Sequence, residues 1–321
     1  MAYNDKSQTT FSVQHLIERN TKHRKKTQRI NRIVPLLLKI IASVSIATTL
    51  GIIFTLSNET IMFFQKISLL SFLTEKEWLP FFEDPKFGIL PLICGTVLVT
   101  AIAMFVAIPI GLACAVFLSE YASNSVRKVL KPMLELLAGI PTIVYGFFAL
   151  TVVTPLLQRI IPDLQFFNAI SPGIVIGFMM IPTIASLSED AMRAVAKGTK
   201  EASLALGATR FEMVKQVVFP SAFAGIMAAI ILAASRAIGE TMIVVIAAGS
   251  TPNVSLDPTH SIQTLTAYIV QVSLGDAPHG TLTYYSMYAV GATLFLFTFI
   301  MNIISQFIMR RFRRAVSYTH L

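Results

Sequence analysis

The sequence predicts an all-α membrane protein of six transmembrane helices with both termini on the cytoplasmic side. Three observations predict it. The chain is 54% hydrophobic and 13% charged, with a mean hydropathy of +0.68, outside the range of soluble domains. Six apolar runs, at about 34–57, 90–118, 133–157, 170–187, 221–248 and 284–308, reach or approach the roughly 20 residues that cross about 30 Å of hydrocarbon. Lysine and arginine collect in alternate connections between these runs.

Helices follow from the solvent. In hydrocarbon each run must satisfy its own backbone, and the chain lacks the alternating ten-residue strands of a membrane barrel. Orientation follows from the basic residues. Twenty of the 26 lie before the first run, near 119–132, near 188–220 and after the last run; the opposite loops hold only Lys66, Lys76, Lys86 and Arg159. The loop 250–283 contains neither Lys nor Arg, which places it with 58–88 on the outer side. The net charge of +9 is this topological bias. It argues against nucleic-acid binding, because the basic residues alternate with spans.

Residues 1–33 form a polar, basic cytoplasmic tail in which 11–30 also fits a surface helix. Span one, 34–57, is longer than a signal-peptide core and has no small-residue cleavage site after it. The outer segment 58–88 is acidic and aromatic, and its phenylalanines and Trp78 suit an interfacial layer. The core of five further spans occupies 89–314. Span two carries Pro109 and Gly111, which predicts a kink or tilt. Cys94 and Cys114 share that span about 30 Å apart along a helix, so they cannot pair, and no metal cluster or cofactor motif is present. Gly139, Pro141 and Gly146 in span three, and Pro182 in span four, mark bending or close helix packing. Residues 315–321 form a tail, and its end, "VSYTHL", is unlike the basic stop before it; it is expected to be foreign to the natural protein, and no function is assigned to it.

The cytoplasmic stretch 188–220 reads as three capped helices. Ser188 is an N-cap candidate, Gly198 a stop, and Thr199 the cap of a short helix "KEASLAL" ended by Gly207. Thr209 and Glu212 form a T-x-x-E capping box for a third helix ending before Pro220. The middle helix is only about two turns long, and helices this short are marginal alone in water. Its Ala202, Leu204, Ala205 and Leu206 need a surface to cover them. Spacing alone leaves two surfaces open: the protein's own cytoplasmic helix ends, or a groove on a partner.

Span five contains "SRAIGETMIV". A charge at mid-membrane costs about 2.5–3.5 kcal/mol on insertion scales. Arg236 and Glu240, at i and i+4, share one face of a continuous helix and can neutralise each other. One reading is a buried ion pair that locks packing, although replacing such a pair by apolar residues is often neutral or stabilising. The other is an anion site lining a pathway, since guanidinium offers a permanently charged fork matched to phosphate oxygens. The second is favoured. At about 15 residues into the span, or ~22 Å, Arg236 would lie beyond the midplane toward the outside.

Two resemblances sharpen these readings. "EASLALGATRFEMVKQVVFP" resembles the EAA loop of type I ABC importer permeases, with Glu201, Ala202, Gly207 and Pro220 matching in place and Ser203 and Phe219 departing mildly. In that family the loop carries the coupling helix, which implies that Glu201, Ala202 and Gly207 engage a cytoplasmic ATPase. "SRAIGETMIVV", "LLAGIPTIVYG" and "GTVLVTAIAMFVAIPIGLACAVFLSEY" together resemble permeases of the bacterial high-affinity phosphate importer, the Pst system, nearer its PstC type than its PstA type. This resemblance covers roughly 34–314 and implies a type I, MetI-like permease fold. It assigns Arg236 and Glu240 to the phosphate pathway. It further implies a second, PstA-like permease, a PstB-like ATPase dimer, a PstS-like phosphate-binding protein and a place in the bacterial inner membrane.

The expected function is therefore a phosphate-translocating permease subunit that is not itself an enzyme. The chain has no G-x-x-x-x-G-K-[ST] to cradle ATP phosphates, so hydrolysis belongs to a separate subunit. The alternatives are a type I permease for another oxyanion or solute and, from another class, a stand-alone secondary transporter or channel. Absence of an internal repeat argues against the latter.

Overall fold

A computed structural model describes residues 6–317, with side chains from Ile33 to Phe307. Residues 318–321 of the expected foreign tail and the first five of the basic tail lie outside the described residues. The chain divides into two compact units, Met1–Asn58 and Glu59–Leu321.

The first unit is helical. Helix α1, Lys6–Phe64, runs through Pro35, so the helix expected over 11–30 is continuous with span one. From Ile33 onward nearly all of its residues up to Asn58 are exposed, as befits a single apolar helix whose solvent is lipid.

The second unit begins with a small cap. After α1 come α2, Leu69–Thr74, and a two-stranded antiparallel ribbon of β1, Trp78–Leu79, and β2, Lys86–Phe87, which pairs Trp78 with Phe87. Phe81 and Phe82 are exposed, as the expected interfacial layer requires, but four other rings are not. Phe63, Phe72, Trp78 and Phe87 are buried against one another in edge-to-face contacts, with ring centroids 5.3–6.4 Å apart. The reason is that the ribbon folds back on α1 and α2, so the rings satisfy each other instead of facing headgroups.

The membrane core follows. Helix α3, Leu90–Val116, passes through Pro109 unbroken and ends in a π-helical turn, Phe117–Tyr121. Helices α4, Asn124–Ala138, and α5, Thr142–Phe148, replace the expected span 133–157, and α4 also takes in 124–132 of the expected cytoplasmic loop. They are bent by 83° at Gly139–Pro141. Pro141 supplies the reason: it lacks an N–H and restricts Ile140 before it to extended conformations. A π turn, Ala149–Val153, and α6, Thr154–Gln158, complete this bent element.

Helix α7, Ile170–Arg193, is the most buried of the membrane helices. It packs along α3 because small residues let the backbones approach. A Cβ on Gly177 would sit 2.8 Å from both the Ala103 carbonyl oxygen and Val106 Cβ. Helix α7 also passes straight through Ser188, which is fully buried. The expected N-cap is therefore wrong, because tertiary burial overrides the local capping preference.

Helix α8, Lys197–Ala205, includes Gly198 and Thr199 within its first turn, so neither acts as the expected stop or cap; Ala196 occupies the N-cap. Gly207 ends it at φ +90°, the left-handed conformation that glycine alone adopts without penalty. Thr209 and Glu212 then form the expected reciprocal capping box for α9, Arg210–Met213. This third helix does not stop before Pro220. A π turn, Val214–Val218, joins it to α10, Phe219–Ile238. Pro220 falls in the first turn of α10, where a missing N–H is tolerated.

The fifth span also ends earlier than expected. Gly239–Thr241 separate α10 from α11, Met242–Ala247, so 221–248 is not one helix. The connection after α11 holds α12, Leu265–Gln271, and a π turn Val272–Asp276, and the last span, α13, Leu282–Ser317, follows. Among the described residues five helices are long and apolar enough to cross a membrane, or six if the bent pair Asn124–Ala138 with Thr142–Gln158 is one span. The helical class holds with five to six spans, and the expected third and fifth spans are both interrupted.

Candidate functional site

The two discontinuities meet. Helices α5 and α11 pack closely at Gly146, where a Cβ would lie 2.8 Å from Ile246 Cδ1 and 3.2 Å from the Met242 carbonyl oxygen. Glu240 sits in the α10–α11 break and is 8% exposed. Its Oε1 accepts from the Ile243 amide at 3.4 Å, and its carbonyl accepts from the Thr266 hydroxyl at 2.7 Å. The carboxylate therefore faces an otherwise unpaired amide at the start of α11.

Arg236 lies in the last turn of α10 and is exposed. Among the described residues no ion pair joins it to Glu240 or to any other carboxylate. The expected i,i+4 pairing fails because α10 stops at Ile238 and Gly239 turns the chain, which removes Glu240 from the helix face that Arg236 occupies. The unbroken span runs from Arg210 to Ile238, so Arg236 stands near one end of the span instead of just past its middle. Beside it the Ser235 hydroxyl oxygen is buried and has no partner among the described residues. The structure thus holds a guanidinium without a carboxylate at the end of α10 and a buried carboxylate committed to the start of α11; the two are not an ion pair.

At the far end of α10, α8 carries the second group of expected site residues. Glu201, Ala202 and Gly207 are exposed, and no residue of α8 is buried. Leu206 is 90% and Leu204 41% exposed. These apolar residues do not cover the protein's own helix ends, so the first of the two surfaces left open by spacing is ruled out for this chain by itself.

Charged groups that spacing did not reveal join α8 to the end of α3 and tie α4 to α7. Lys200 Nζ lies 2.6 Å from Glu120 Oε1. Glu189 of α7 is fully buried and receives Arg127 at 3.1 Å, Lys131 at 3.2 Å and Arg193 at 3.6 Å. Their only sequence signal is that Glu120 and Glu189 end apolar runs on the side where the bases collect. Among the described residues no group of three or more His, Cys, Asp and Glu is placed to hold a metal ion.

Comparison with known proteins identifies the family and the fold. A family described as "Binding-protein-dependent transport system inner membrane component" matches residues 107–314. The probable ABC transporter permease YqgH of Bacillus subtilis is 35% identical, over 86% of this chain and 87% of that protein. The phosphate transport system permease PstC of Mesorhizobium japonicum is 34% identical, over 75% and 78% respectively, and that of Haemophilus influenzae is 32% identical over 76% and 82%. Among solved structures, a bacterial ABC transporter that imports the acidic polysaccharide alginate aligns with a TM-score of 0.61 at 16% identity, covering 86% of this chain and 95% of its own. The MetNI methionine transporter aligns at 0.53 and 18% identity, over 68% and 93%. The structural likenesses establish the fold; the sequence matches establish the family. The chain belongs to the inner-membrane components of binding-protein-dependent transport systems, the permeases of ABC importers, and within them to the PstC type.

Proposed function

We propose that this chain is the phosphate-translocating permease subunit of an ABC importer in the bacterial cytoplasmic membrane, with its termini inside. It pairs with a second, PstA-like permease. A PstS-like binding protein delivers phosphate from outside, and a PstB-like ATPase dimer hydrolyses ATP beneath it. The observation that carries the reading is Arg236: an exposed guanidinium without a carboxylate partner, in an otherwise apolar helix, beside a break in the backbone. Non-helical backbone at membrane depth is tolerated only where protein or a water-filled path surrounds it. Near the end of a span the insertion cost is smaller than at mid-membrane, and a guanidinium with no carboxylate beside it keeps its donors for an anion. Two oxygens of a phosphate match the guanidinium fork.

Glu240 has a different task from the counter-ion expected of it. By capping α11 and tying its backbone to Thr266, it holds the break in one geometry and leaves the guanidinium without a counter-ion, free to meet an anion. At the other end of α10, the exposed Leu204 and Leu206 beside Glu201, Ala202 and Gly207 support docking of α8 into a groove of the ATPase.

Phosphate uptake into proteoliposomes that hold the complete four-component complex tests this reading. ATP-dependent phosphate accumulation, little reduced by excess sulfate or molybdate, is expected. Equal transport of those oxyanions would replace phosphate with a broader substrate class. Flux without ATP would replace the importer with a channel.

A further inference from the structure

Helix α8 has no buried residue, yet it must transmit force if it is the helix that meets the ATPase. Its covalent connections are weak levers. It follows α7 through the short link 194–196 and leaves through Gly207, whose open surroundings place nothing within 4 Å of a Cβ. Its firmest grip on the membrane helices is one side chain. Lys200 reaches Glu120 Oε1 at 2.6 Å and the Met192 carbonyl oxygen at 3.1 Å. Glu120 belongs to the π turn at the end of α3, and Met192 to the last turn of α7. A single ammonium therefore staples α8 to the ends of both helices of the tightly packed α3–α7 pair.

The surroundings stiffen this staple. The two side chains are only 15% and 7% exposed, so screening is weak. The Ser119 hydroxyl donates to the same carboxylate oxygen at 2.6 Å. Arg127 of α4 donates to the Leu118 carbonyl through both Nε, at 3.1 Å, and a terminal nitrogen, and it also pairs with Glu189 of α7. The π turn is thus held from α4 and α8 at once. A π turn inserts one residue into a helix and redirects the side chains after it; here it carries Glu120 on the last turn before the chain leaves α3.

We infer that Lys200 and Glu120 are the positioning pair that transmits movement of α8 to the α3–α7 pair, so that ATP hydrolysis and substrate passage stay coupled. This rests on the proposal that α8 docks the ATPase. Breaking a buried pair by removing one partner leaves the other charge uncompensated, an effect larger than one tenfold step. Glu120→Gln and Lys200→Gln in the full reconstituted complex should keep the ATPase bound and hydrolysing, while phosphate moved per ATP falls by about tenfold or more.

A reversible link guards against misfolding of the single variants. Glu120→Cys with Lys200→Cys, on a background lacking Cys94 and Cys114, should be uncoupled when free. A bis-methanethiosulfonate spanning the two thiols should restore coupling, and reduction should abolish it again. Wild-type coupling in the single variants, or a cross-linked protein that stays uncoupled with its ATPase bound, overturns the inference. Loss of docking in α8 variants is a separate readout: if Gly207→Val leaves ATPase recovery and transport unchanged, the docking proposal itself fails.

Discussion

Replacing Gly207 with valine isolates the turn that ends α8. Gly207 holds φ +90°, and a Cβ there would meet nothing within 4 Å. The penalty is therefore confined to the backbone. An L-residue in a left-handed conformation costs roughly 1–2 kcal/mol, and β-branching places valine at the upper end of that range. A change of this size shifts the turn against its alternatives by about 5–30-fold. Because α8 buries no residue of its own, little else holds its end in place. Gly207→Val should insert normally, yet recover less ATPase on purification or hydrolyse ATP without transport. Gly207→Asn, which tolerates positive φ better, should lie nearer the natural protein. The assay is ATPase recovered per inserted permease, with phosphate moved per ATP as the second readout. Natural values of both in the valine variant would refute the reasoning.

Two further predictions concern the small cap and the orientation. Trp78→Ala removes a buried ring that lies 4.8 Å from Tyr268 and 5.8 Å from Phe87 between centroids, so it should cost about 3–5 kcal/mol and lower the unfolding temperature in detergent. Trp78→Phe should be much milder, because the indole N–H has no partner among the described residues and its loss removes no hydrogen bond; equal losses in both variants would contradict the cap as described. For orientation, Leu256→Cys and Leu206→Cys, both on exposed sites and without Cys94 and Cys114, should label from opposite faces in intact cells. Leu256→Cys should react with an impermeant thiol reagent and Leu206→Cys only after the membrane is opened; the reverse pattern would invert the assigned sides.

Local chemistry was legible and long-range closure was not. The Thr209–Glu212 capping box and the Gly207 stop depend on residues within a turn of one another, so their types announce them. Ser188 has the type of a cap but is buried inside α7, and burial outweighed type. The breaks at 139–141 and 239–241 carry Gly, Pro and Thr, residues that also serve ordinary helix packing in membranes. What ends α10 at Ile238 is help from elsewhere: the Thr266 hydroxyl on the Glu240 carbonyl and the Ile243 amide that draws the Glu240 carboxylate away from Arg236. No i,i+4 rule anticipates that. The Lys200–Glu120 pair spans 80 positions and Lys131–Glu189 spans 58, so spacing along the chain could not join them. The aromatic cap was misread for a related reason: rings that would suit an interface also suit each other once a ribbon folds back.

The central claim is that Arg236 serves substrate passage and not packing, with Glu240 holding the break beside it in one geometry. The most direct measurement is phosphate uptake by the complete complex bearing Arg236→Leu together with Glu240→Leu, normalised to inserted permease and bound ATPase, with Arg236→Lys alongside. The two charges form no ion pair and Glu240 caps α11, so Glu240→Leu alone is the reference: if Arg236 served only packing, adding Arg236→Leu to it should leave uptake unchanged and near normal. The account predicts a double variant that assembles, retains its ATPase and does not transport. It also predicts an Arg236→Lys variant reduced by about tenfold or more, because an ammonium keeps the charge but loses the fork, and a charge-assisted hydrogen bond is worth roughly 1.5–3 kcal/mol. Near-normal uptake by the double variant would contradict it.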